Sequence, residues 1–329
     1  MSAAGEAFRS RAAGLPLPVR QLLTALPFLA PSIVLFGTFV FYPLGKSIYL
    51  GFFISNPFGT KQIYVGFDQY QNILTSSEFI SSLLVTATFA LYTVVPSIVI
   101  GTFLAVLANQ KLPGISIFRT IFSSTLAASV GIASVIWFVL LHPSGDVMNE
   151  YVITKLGFDE VRWLQDGGWA VSDHSNVFAM VGSWFVDPNW ALISVSLVTI
   201  WMNIGLFTIV VLAGLQTIPD EMYESARIDG AGRWSEFWHV TLPMLSPTLF
   251  FASVVGTIFA FQSFGQVQIL TQGGPVDASN VILYSIYQTG FEPPFRVGAA
   301  SVQAIGLFFI MLALTLVQFR LISGRVFYR

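Results

Sequence analysis

The stretch YESARIDGAGRWSEFWHVTLP, residues 223–243, is polar, charged and rich in glycine, and long apolar stretches flank it on both sides. The chain around it has 329 residues, of which 54% are hydrophobic and only 10% are charged. Soluble domains carry about 25% charged residues. We therefore expect lipid to surround most of the chain, and we expect this polar stretch to lie at a membrane surface.

Working outward from this stretch, six apolar runs are long enough to cross a bilayer, which takes about 20 residues each. They cover residues 24–50, 80–108, 117–141, 191–214, 246–270 and 298–321. The fold class expected from them is an all-α polytopic membrane protein with about six transmembrane helices. A polar arm, residues 1–21, should precede the membrane domain, residues 22–322, and a tail of residues 323–329 should follow it.

The distribution of lysine and arginine predicts the orientation, because cytoplasmic loops carry an excess of both. If the N-terminus is cytoplasmic, ten basic residues fall inside and five fall outside. The inner residues are Arg9, Arg11, Arg20, Lys111, Arg119, Arg227, Arg233, Arg320, Arg325 and Arg329, and the outer ones are Lys46, Lys61, Lys155, Arg162 and Arg296. We therefore expect both termini and the loop 215–245 in the cytoplasm, with loops 51–79, 142–190 and 271–297 outside.

The outer loop 142–190 contains four of the eight tryptophans of the chain: Trp163, Trp169, Trp184 and Trp190. Tryptophan is enriched where a protein meets the membrane surface. Ordinary packing within the loop explains the same residues, and the sequence leaves both interpretations open.

The loop 215–245 has the signals of two short helices. Pro219 suits the first turn of a helix, which should run to about Ile228, and Gly230 suits the left-handed residue that ends it. A second helix is predicted over residues 233–240, with Pro243 stopping it before the next membrane run. Apolar residues on this unit fit the groove of a partner protein. An ordinary loop covered by its own neighbours is the alternative.

The interiors of the predicted spans carry neutral polar residues, and the charged residues within the spans, Lys46, Arg119 and Arg320, lie near span ends. Asn203, Gln262, Gln266 and Gln268 are the candidates for a substrate pathway, because polar groups inside a membrane are costly and tend to face a pore or another helix. Gln262 and Gln266 are four residues apart, so in a continuous helix they share a face. Hydrogen bonding between helices explains such residues equally well.

Several chemistries are excluded or disfavoured by the sequence. The chain has no cysteine, and its three histidines, His142, His174 and His239, show no metal-ligand spacing. The stretch PLGKS, residues 43–47, resembles the end of a phosphate-binding loop, but the required first glycine is Val40. No catalytic constellation is visible, and the net charge of −2 gives no support for nucleic-acid binding. We therefore expect no catalytic residue and no cofactor in this chain.

The loop 215–245 resembles the signature loop of permease subunits in binding-protein-dependent ABC importers, which reads E-A-A, three residues, G, nine residues, I-x-L-P. The matching residues are Glu224, Ser225, Ala226, Gly230, Val240, Leu242 and Pro243. Serine and valine are small departures from the pattern. In that family the loop inserts into a cleft on a cytoplasmic ATPase. The resemblance implies five ATPase-coupling residues: Glu224, Ala226, Asp229, Gly230 and Pro243.

The resemblance extends over most of residues 22–321. VGFDQYQNIL at 65–74 and LTQGGPVDASNVILYSIYQTGF at 270–291 are similar to family segments, whereas FGQVQILT at 264–271 lacks the aspartate and tyrosine common in sugar permeases. NPFG at 56–59, the GGPVDAS segment and the C-terminal stretch look like the glycerol-3-phosphate branch, which we favour over plain sugar importers.

The resemblance also implies a fold and a set of partners. We expect the type I importer permease fold, a second homologous permease subunit, two cytoplasmic ATPase subunits that bind ATP and magnesium, and an extracytoplasmic solute-binding protein. The substrate would be glycerol-3-phosphate, a glycerophosphodiester or a sugar, moved through a bacterial inner membrane by alternating access. A membrane enzyme and a secondary transporter are the competing classes. Neither the ionisable pairs of the first nor the inverted repeats of the second are visible in the sequence.

Overall fold

The computed structural model describes residues 17–55, 62–110, 113–142, 147–157, 160–166 and 189–322. Most of the predicted N-terminal arm, the tail 323–329, the NPFG stretch, Trp169 and Trp184 lie outside these residues. Helix α1 begins at Leu17, within the predicted arm.

The described part of the chain is helical apart from one short pair of strands. The helices are α1 (Leu17–Phe36), α2 (Tyr42–Leu50), α3 (Asp68–Leu74), α4 (Ser77–Ala108), α5 (Ile115–Ser123), α6 (Val130–Leu141), α7 (Trp190–Leu215), α8 (Asp220–Ile228), α9 (Arg233–Glu236), α10 (Leu242–Phe261), α11 (Gly265–Leu270), α12 (Ile282–Phe291) and α13 (Val297–Ile322). The strands are β1 (Phe53–Ser55) and β2 (Gln62–Tyr64). Turns of π-helix join α1 to α2 at Gly37–Phe41 and α9 to α10 at Phe237–Thr241.

Among the described residues, five helical segments are long and apolar enough to cross a membrane, and a bent pair of helices makes a sixth when it is counted as one span. The straight segments are Ala25–Leu50, Ser77–Ala108, Trp190–Leu215, Arg233–Phe261 and Val297–Leu321. This agrees with the six predicted runs in number and place.

Two of the predicted runs are interrupted. The third, expected as one helix over 117–141, bends by 99° between Ile115–Ala127 and Val130–Leu141. The fifth, expected over 246–270, ends at Phe261, and the separate helix α11 follows it. The bend of the third is fixed locally by Ser129, whose extended backbone starts α6 and whose hydroxyl accepts the Ile132 N–H at 3.3 Å.

The core is built where α4 packs along α7. Phe89 of α4 and Val195 and Val198 of α7 have no exposed surface. Gly101 allows the two helices to approach closely at their crossing. A Cβ placed on it would lie 2.9 Å from Cβ of Phe207, and 3.2 Å from the carbonyl carbon of Phe207 and from the Thr208 nitrogen. Small residues at helix crossings are typical of membrane proteins, where close backbone packing holds helices together.

A hydroxyl of α4 also fixes the segment before the last span. The Thr86 hydroxyl accepts a hydrogen bond of 2.7 Å from the N–H of Ile282, the first residue of α12, and donates one of 2.6 Å to the Ser82 carbonyl. The first N–H groups of a helix have no partner within the helix. Thr86 therefore satisfies one of them inside the protein.

The strand pair was not predicted from the sequence. β1 and β2 are antiparallel, with Phe53 opposite Tyr64 and Ile54 opposite Ile63. The alternation of aromatic, aliphatic and polar residues in these short segments is the signal for strands that the length criterion for spans overlooks.

The crossing at Gly101 gives a test with a matched control. Gly101→Ala should lower the stability of the purified protein by about 1–3 kcal/mol, because the backbone of α7 must shift to accept the methyl group. Gly131→Ala, where nothing lies within 4 Å of the added Cβ, should be neutral or stabilising, because alanine favours a helix over glycine. Thermal unfolding midpoints in detergent measure both, and equal shifts would contradict the close-packing role.

Candidate functional site

The predicted signature loop folds as a closed helical turn. Helix α8 ends at Ile228, and Gly230 takes the left-handed conformation at φ +82° that the sequence predicts. The Gly230 N–H donates to the Arg227 carbonyl at 3.0 Å, and the Ala231 N–H donates to the Ala226 carbonyl at 2.9 Å. These two bonds are the Schellman pattern that closes a helix C-terminus. Nothing lies within 4 Å of a Cβ on Gly230, so glycine is required there for its backbone conformation.

The start of α8 also follows the sequence signals. Pro219 is the extended residue before the helix, one position earlier than predicted, and Asp220 and Glu221 occupy the first turn. Negative charge is stabilised at this positive end of the helix. Ser225 departs from the family pattern without leaving its hydroxyl unpaired, because it donates to the Glu221 carbonyl at 2.9 Å.

The second predicted helix is longer than expected. The prediction that Pro243 stops it is wrong, because Arg233–Phe261 is one continuous helical segment. Pro243 lies in the first turn of α10, directly after the π-helical turn Phe237–Thr241. Proline lacks an N–H to donate, and a local π adjustment is one of the ways a membrane helix accommodates it.

Two side-chain contacts join α8 to the segment that follows it. The Arg227 Nε donates to Glu236 Oε1 at 2.8 Å, and its Nη2 lies 3.5 Å from Oε2. The hydroxyls of Tyr223 and Thr241 are 3.2 Å apart. The hydrogen bond with Glu236, followed by its charge, raises the pKa of Arg227 above its usual value. The Glu236 side chain is only 12% exposed whereas that of Arg227 is 63% exposed, so the pair joins a packed carboxylate to a solvent-facing guanidinium.

The unit formed by α8, the Gly230 turn and α9 presents apolar surface together with charge. Ile228 is 86% exposed and Trp234 is 74% exposed, and Trp234 and Trp238 form an edge-to-face pair with centroids 5.9 Å apart. Glu224, Asp229 and Gly230 are exposed beside them, and Ala226 is partly buried. The structure thus brings four of the predicted coupling residues together, and Pro243 lies apart from them along the next helix.

A groove of about 600 Å³ separates this unit from the ends of α4 and α7. Its polar lining includes Asn109, Gln110, Asp220, Glu224, Arg227, Arg233 and Glu236. Arg119 caps the same end of α4, because its Nε and Nη2 donate to the Ala108 carbonyl at 3.0 and 2.7 Å. Three of the basic residues predicted for the inner side of the membrane, Arg119, Arg227 and Arg233, therefore lie at this end of the bundle.

A second site lies where the two interrupted spans meet. A cavity of about 280 Å³ is lined by Val130 at the start of α6 and by the residues between α10 and α11. Three predicted pathway residues, Asn203, Gln262 and Gln266, line it together with Thr199, Ser263 and two phenylalanines, Phe259 and Phe264. None of the residues that line it is charged.

The expectation that Gln262 and Gln266 share one helix face is wrong, because α10 ends between them. Gln262 is the C-terminal cap of α10, and Gln266 lies in α11, where its Oε1 accepts a hydrogen bond from Ser263 at 3.1 Å. Glycine at position 265 and the polar residues before it weaken the helix at this point. A broken helix within a membrane is tolerated where it is buried in protein or faces a cavity. The break in the helix is therefore consistent with Gln262 and Gln266 lining the cavity.

Gln268, the fourth predicted pathway residue, is not in this cavity. It lies on α11, and its Oε1 is buried without a hydrogen-bond partner among the described residues. The sequence also missed Val130 and Thr199, for which no signal exists in the letters. The Arg227–Glu236 pair was missed too, although opposite charges nine residues apart around a turn are a usable signal.

The sequence predicted neither a phosphate-binding loop at PLGKS nor a metal site. PLGKS is helical, and Lys46 lies within α2. In the described ranges, no group of three or more histidine, aspartate or glutamate side chains could hold a metal ion.

Trp163 is buried, donates to Asn149 Oδ1 at 3.2 Å and packs edge-to-face on Trp190 at 5.4 Å. Loop packing therefore explains these two tryptophans.

Comparison with known proteins agrees with this architecture. Residues 73–327 match the family described as "Binding-protein-dependent transport system inner membrane component". The sn-glycerol-3-phosphate transport system permease protein UgpA of Rhizobium meliloti (strain 1021) is 30% identical over 306 residues, which cover 92% of this chain and 96% of that protein. UgpA of Escherichia coli O6:K15:H31 (strain 536 / UPEC) is 27% identical over 307 residues, with the same coverage.

Solved structures show the same fold. A bacterial ABC transporter involved in the import of the acidic polysaccharide alginate aligns with a TM-score of 0.72 and 23% identity, covering 93% of this chain and 97% of that one. A second structure, the alginate transporter in complex with an alginate pentasaccharide-bound periplasmic protein, aligns with a TM-score of 0.70 at 23% identity, covering 92% and 94%.

The family match spans well over half of the chain, and the predictions of a type I permease fold and of a transport role in place of an enzymatic one are confirmed. The chain belongs to the binding-protein-dependent transport system inner membrane component family and is a permease subunit of a binding-protein-dependent importer.

Proposed function

We propose that this permease forms one half of a heterodimeric pore, with a second homologous permease as the other half. Two cytoplasmic ATPase subunits, which bind ATP and magnesium, dock on the loop 215–245. An extracytoplasmic solute-binding protein delivers the substrate. The observation that carries the proposal is the Schellman-closed α8, which holds Glu224, Asp229 and Gly230 exposed beside the apolar residues Ile228 and Trp234.

The mechanism follows from the continuity of the helices. ATP-driven closure of the ATPases moves α8 and α9, and α10 passes this motion to the cavity at Gln262. The pore then alternates between inward-facing and outward-facing states around a fixed site. Glu224, Ala226, Asp229 and Gly230 form the docking contact, and Pro243 marks the entry of α10 into the membrane.

Both termini are proposed to be cytoplasmic. Basic residues at the end of the bundle that holds the groove, Arg119, Arg227 and Arg233, support this orientation under the positive-inside rule. The basic residues assigned to the other side in the described part of the chain are Lys46, Lys155, Arg162 and Arg296, and Arg296 Nη2 lies 4.0 Å from Glu78 Oε2. The neighbouring Glu78 does not cancel Arg296 in this count, because the positive-inside rule counts lysine and arginine and gives little weight to acidic residues.

The substrate proposed first is glycerol-3-phosphate or a glycerophosphodiester, because the UgpA proteins named above transport sn-glycerol-3-phosphate and match nearly the full chain. The amide groups of Asn203, Gln262 and Gln266 can donate to phosphate oxygens and to hydroxyls. The uncharged lining of the cavity favours a second candidate, a neutral oligosaccharide or disaccharide.

The coupling assignment is tested by variants on α8 and its closing turn. Glu224→Lys and Gly230→Leu should abolish uptake by the complete transporter in proteoliposomes while leaving the permease in the membrane. Leucine costs about 1–2 kcal/mol in the left-handed conformation. Gly230→Asn is the matched control and should keep most of the uptake, because asparagine accepts that conformation. Full uptake by both Glu224→Lys and Gly230→Leu would remove the assignment.

The orientation is tested by labelling, for which the cysteine-free sequence gives no background. Ile228→Cys, at 86% exposure, and Phe291→Cys, at 71%, lie at opposite ends of the bundle. A membrane-impermeant maleimide added to spheroplasts should label position 291 alone, and both positions after permeabilisation. Labelling of position 228 in intact spheroplasts would reverse the topology.

The substrate is tested by measuring which compounds, added with the binding protein, stimulate ATP hydrolysis by the complete complex. We expect stimulation by glycerol-3-phosphate and glycerophosphodiesters and none by disaccharides; the reverse result would establish the second candidate. Gln262→Leu or Asn203→Leu should lower uptake about two- to tenfold, the equivalent of one lost hydrogen bond of about 0.5–1.5 kcal/mol. Gln71→Leu, an exposed glutamine outside the cavity, is the control and should have no effect.

A further inference from the structure

The turn between α8 and α9 is a weak point for any motion that passes through it. It contains two glycines, Gly230 and Gly232, and glycine permits backbone conformations that other residues resist. In the proposed function, a push on α8 must move the membrane helix α10. A turn that hinged freely would absorb that push. Something outside the turn must therefore hold α8 against α10.

Two contacts are placed to do this. Tyr223 and Arg227 are four residues apart on α8, and residues at that spacing share a helix face. Tyr223 meets the Thr241 hydroxyl at 3.2 Å, and Arg227 meets Glu236 at 2.8 Å. α8 is thus tied at two points along one face, and a helix tied at two points cannot swing about either of them.

The π-helical turn explains how Glu236 and Thr241 come to face the same helix. They are five residues apart, and five is the hydrogen-bond step of a π-helix, whereas an α-helix stacks residues three or four apart. Glu236 directly precedes the turn Phe237–Thr241 and Thr241 ends it, and the Thr241 hydroxyl donates to the Glu236 carbonyl at 3.3 Å. In an unbroken α-helix the two side chains would point to different sides.

Both inner partners of these ties are well packed. Thr241 is buried, and Glu236 is 12% exposed beside the groove. The packed partners, Glu236 and Thr241, therefore belong to the helical segment Arg233–Phe261, and their more exposed partners belong to α8. This arrangement differs from the docking contact, which uses the exposed residues Glu224, Asp229 and Gly230.

We infer that the Arg227–Glu236 ion pair and the Tyr223–Thr241 hydrogen bond form a brace that fixes α8 to the continuous helical segment Arg233–Phe261, which contains α10, and carries motion past the glycine turn. The inference rests on the proposed coupling function. Arg227, Glu236, Tyr223 and Thr241 are positioning residues, and their role is to keep α8 and α10 moving as one body.

The brace is tested by a distance measurement in the complete transporter, with spin labels on Glu221→Cys of α8 and Phe251→Cys of α10. The parent should give one narrow distance distribution. Arg227→Glu and Glu236→Arg should each at least double its width, and the double variant, which restores the opposite charges, should return to the parent width. Tyr223→Phe removes only the hydroxyl and should broaden the distribution to a smaller extent. Arg320→Glu, a charge reversal on the exposed end of α13, should leave it unchanged.

Transport coupling is measured on the same variants as radiolabelled glycerol-3-phosphate taken up per ATP hydrolysed. Each single charge reversal should lower this ratio about tenfold, and the double variant should recover to within twofold of the parent. Parent-like distance widths in both single variants would overturn the brace whatever the uptake. Broad distributions with an unchanged ratio would overturn its role in coupling. Failure of the proposed function itself would appear separately, as full uptake by Glu224→Lys and Gly230→Leu.

Discussion

The structure depends on one constraint: within lipid, a backbone N–H or C=O must find its partner inside the protein. Long uninterrupted helices without an internal proline, such as α7 and α13, meet this constraint by themselves. Interruptions are possible only where other parts of the protein or a cavity supply partners. Both interruptions of predicted spans, at Ser129 and at residues 262–264, meet at the same uncharged cavity. The positions at which the helices break therefore coincide with the polar site that a solute would need.

The loop that follows α7 obeys a different requirement, because most of residues 220–230 are exposed and the loop must keep a fixed shape with few buried side chains of its own. Its signature spacing has a direct physical meaning. Ala226 supplies the carbonyl and Gly230 the left-handed residue of a Schellman closure, which fixes their separation at four residues. The small residue and the glycine are thus parts of one hydrogen-bonded turn.

The sequence predicted what depends on length and local chemistry. Six apolar runs gave the spans, and Gly230 gave the end of α8, because a bilayer thickness and a left-handed backbone each impose a rule on single segments. It failed where the outcome depends on contacts distant along the chain. Gly265 and the polar residues before it weaken a helix, but the place of the break after Phe261 depends on the packing of α11 and on the cavity, which these letters do not specify. Pro243 was read as a helix end because the π-helical turn that accommodates it has no sequence signature.

The candidate site shows the same division. Asn203, Gln262 and Gln266 stand out in the sequence because polar residues are rare in spans, and the structure places all three around one cavity. Gln268 has the same signal and lies elsewhere, so rarity alone does not identify a lining residue. Val130 and Thr199 line the cavity without any signal, since only the fold brings their ordinary side chains there.

The unbroken segment Arg233–Phe261 has a mechanical consequence. Its 29 residues, at about 1.5 Å per residue, make a rod of roughly 44 Å that begins beside the groove and ends at Gln262. In the proposed mechanism, such a rod would act as a lever about its contacts with α4 and α7. A tilt of about 10° would displace each tip by about 4 Å in opposite directions, by the geometry of a rod of that length. A small stroke at the membrane surface would then change the bore of the pathway by more than the width of a water molecule.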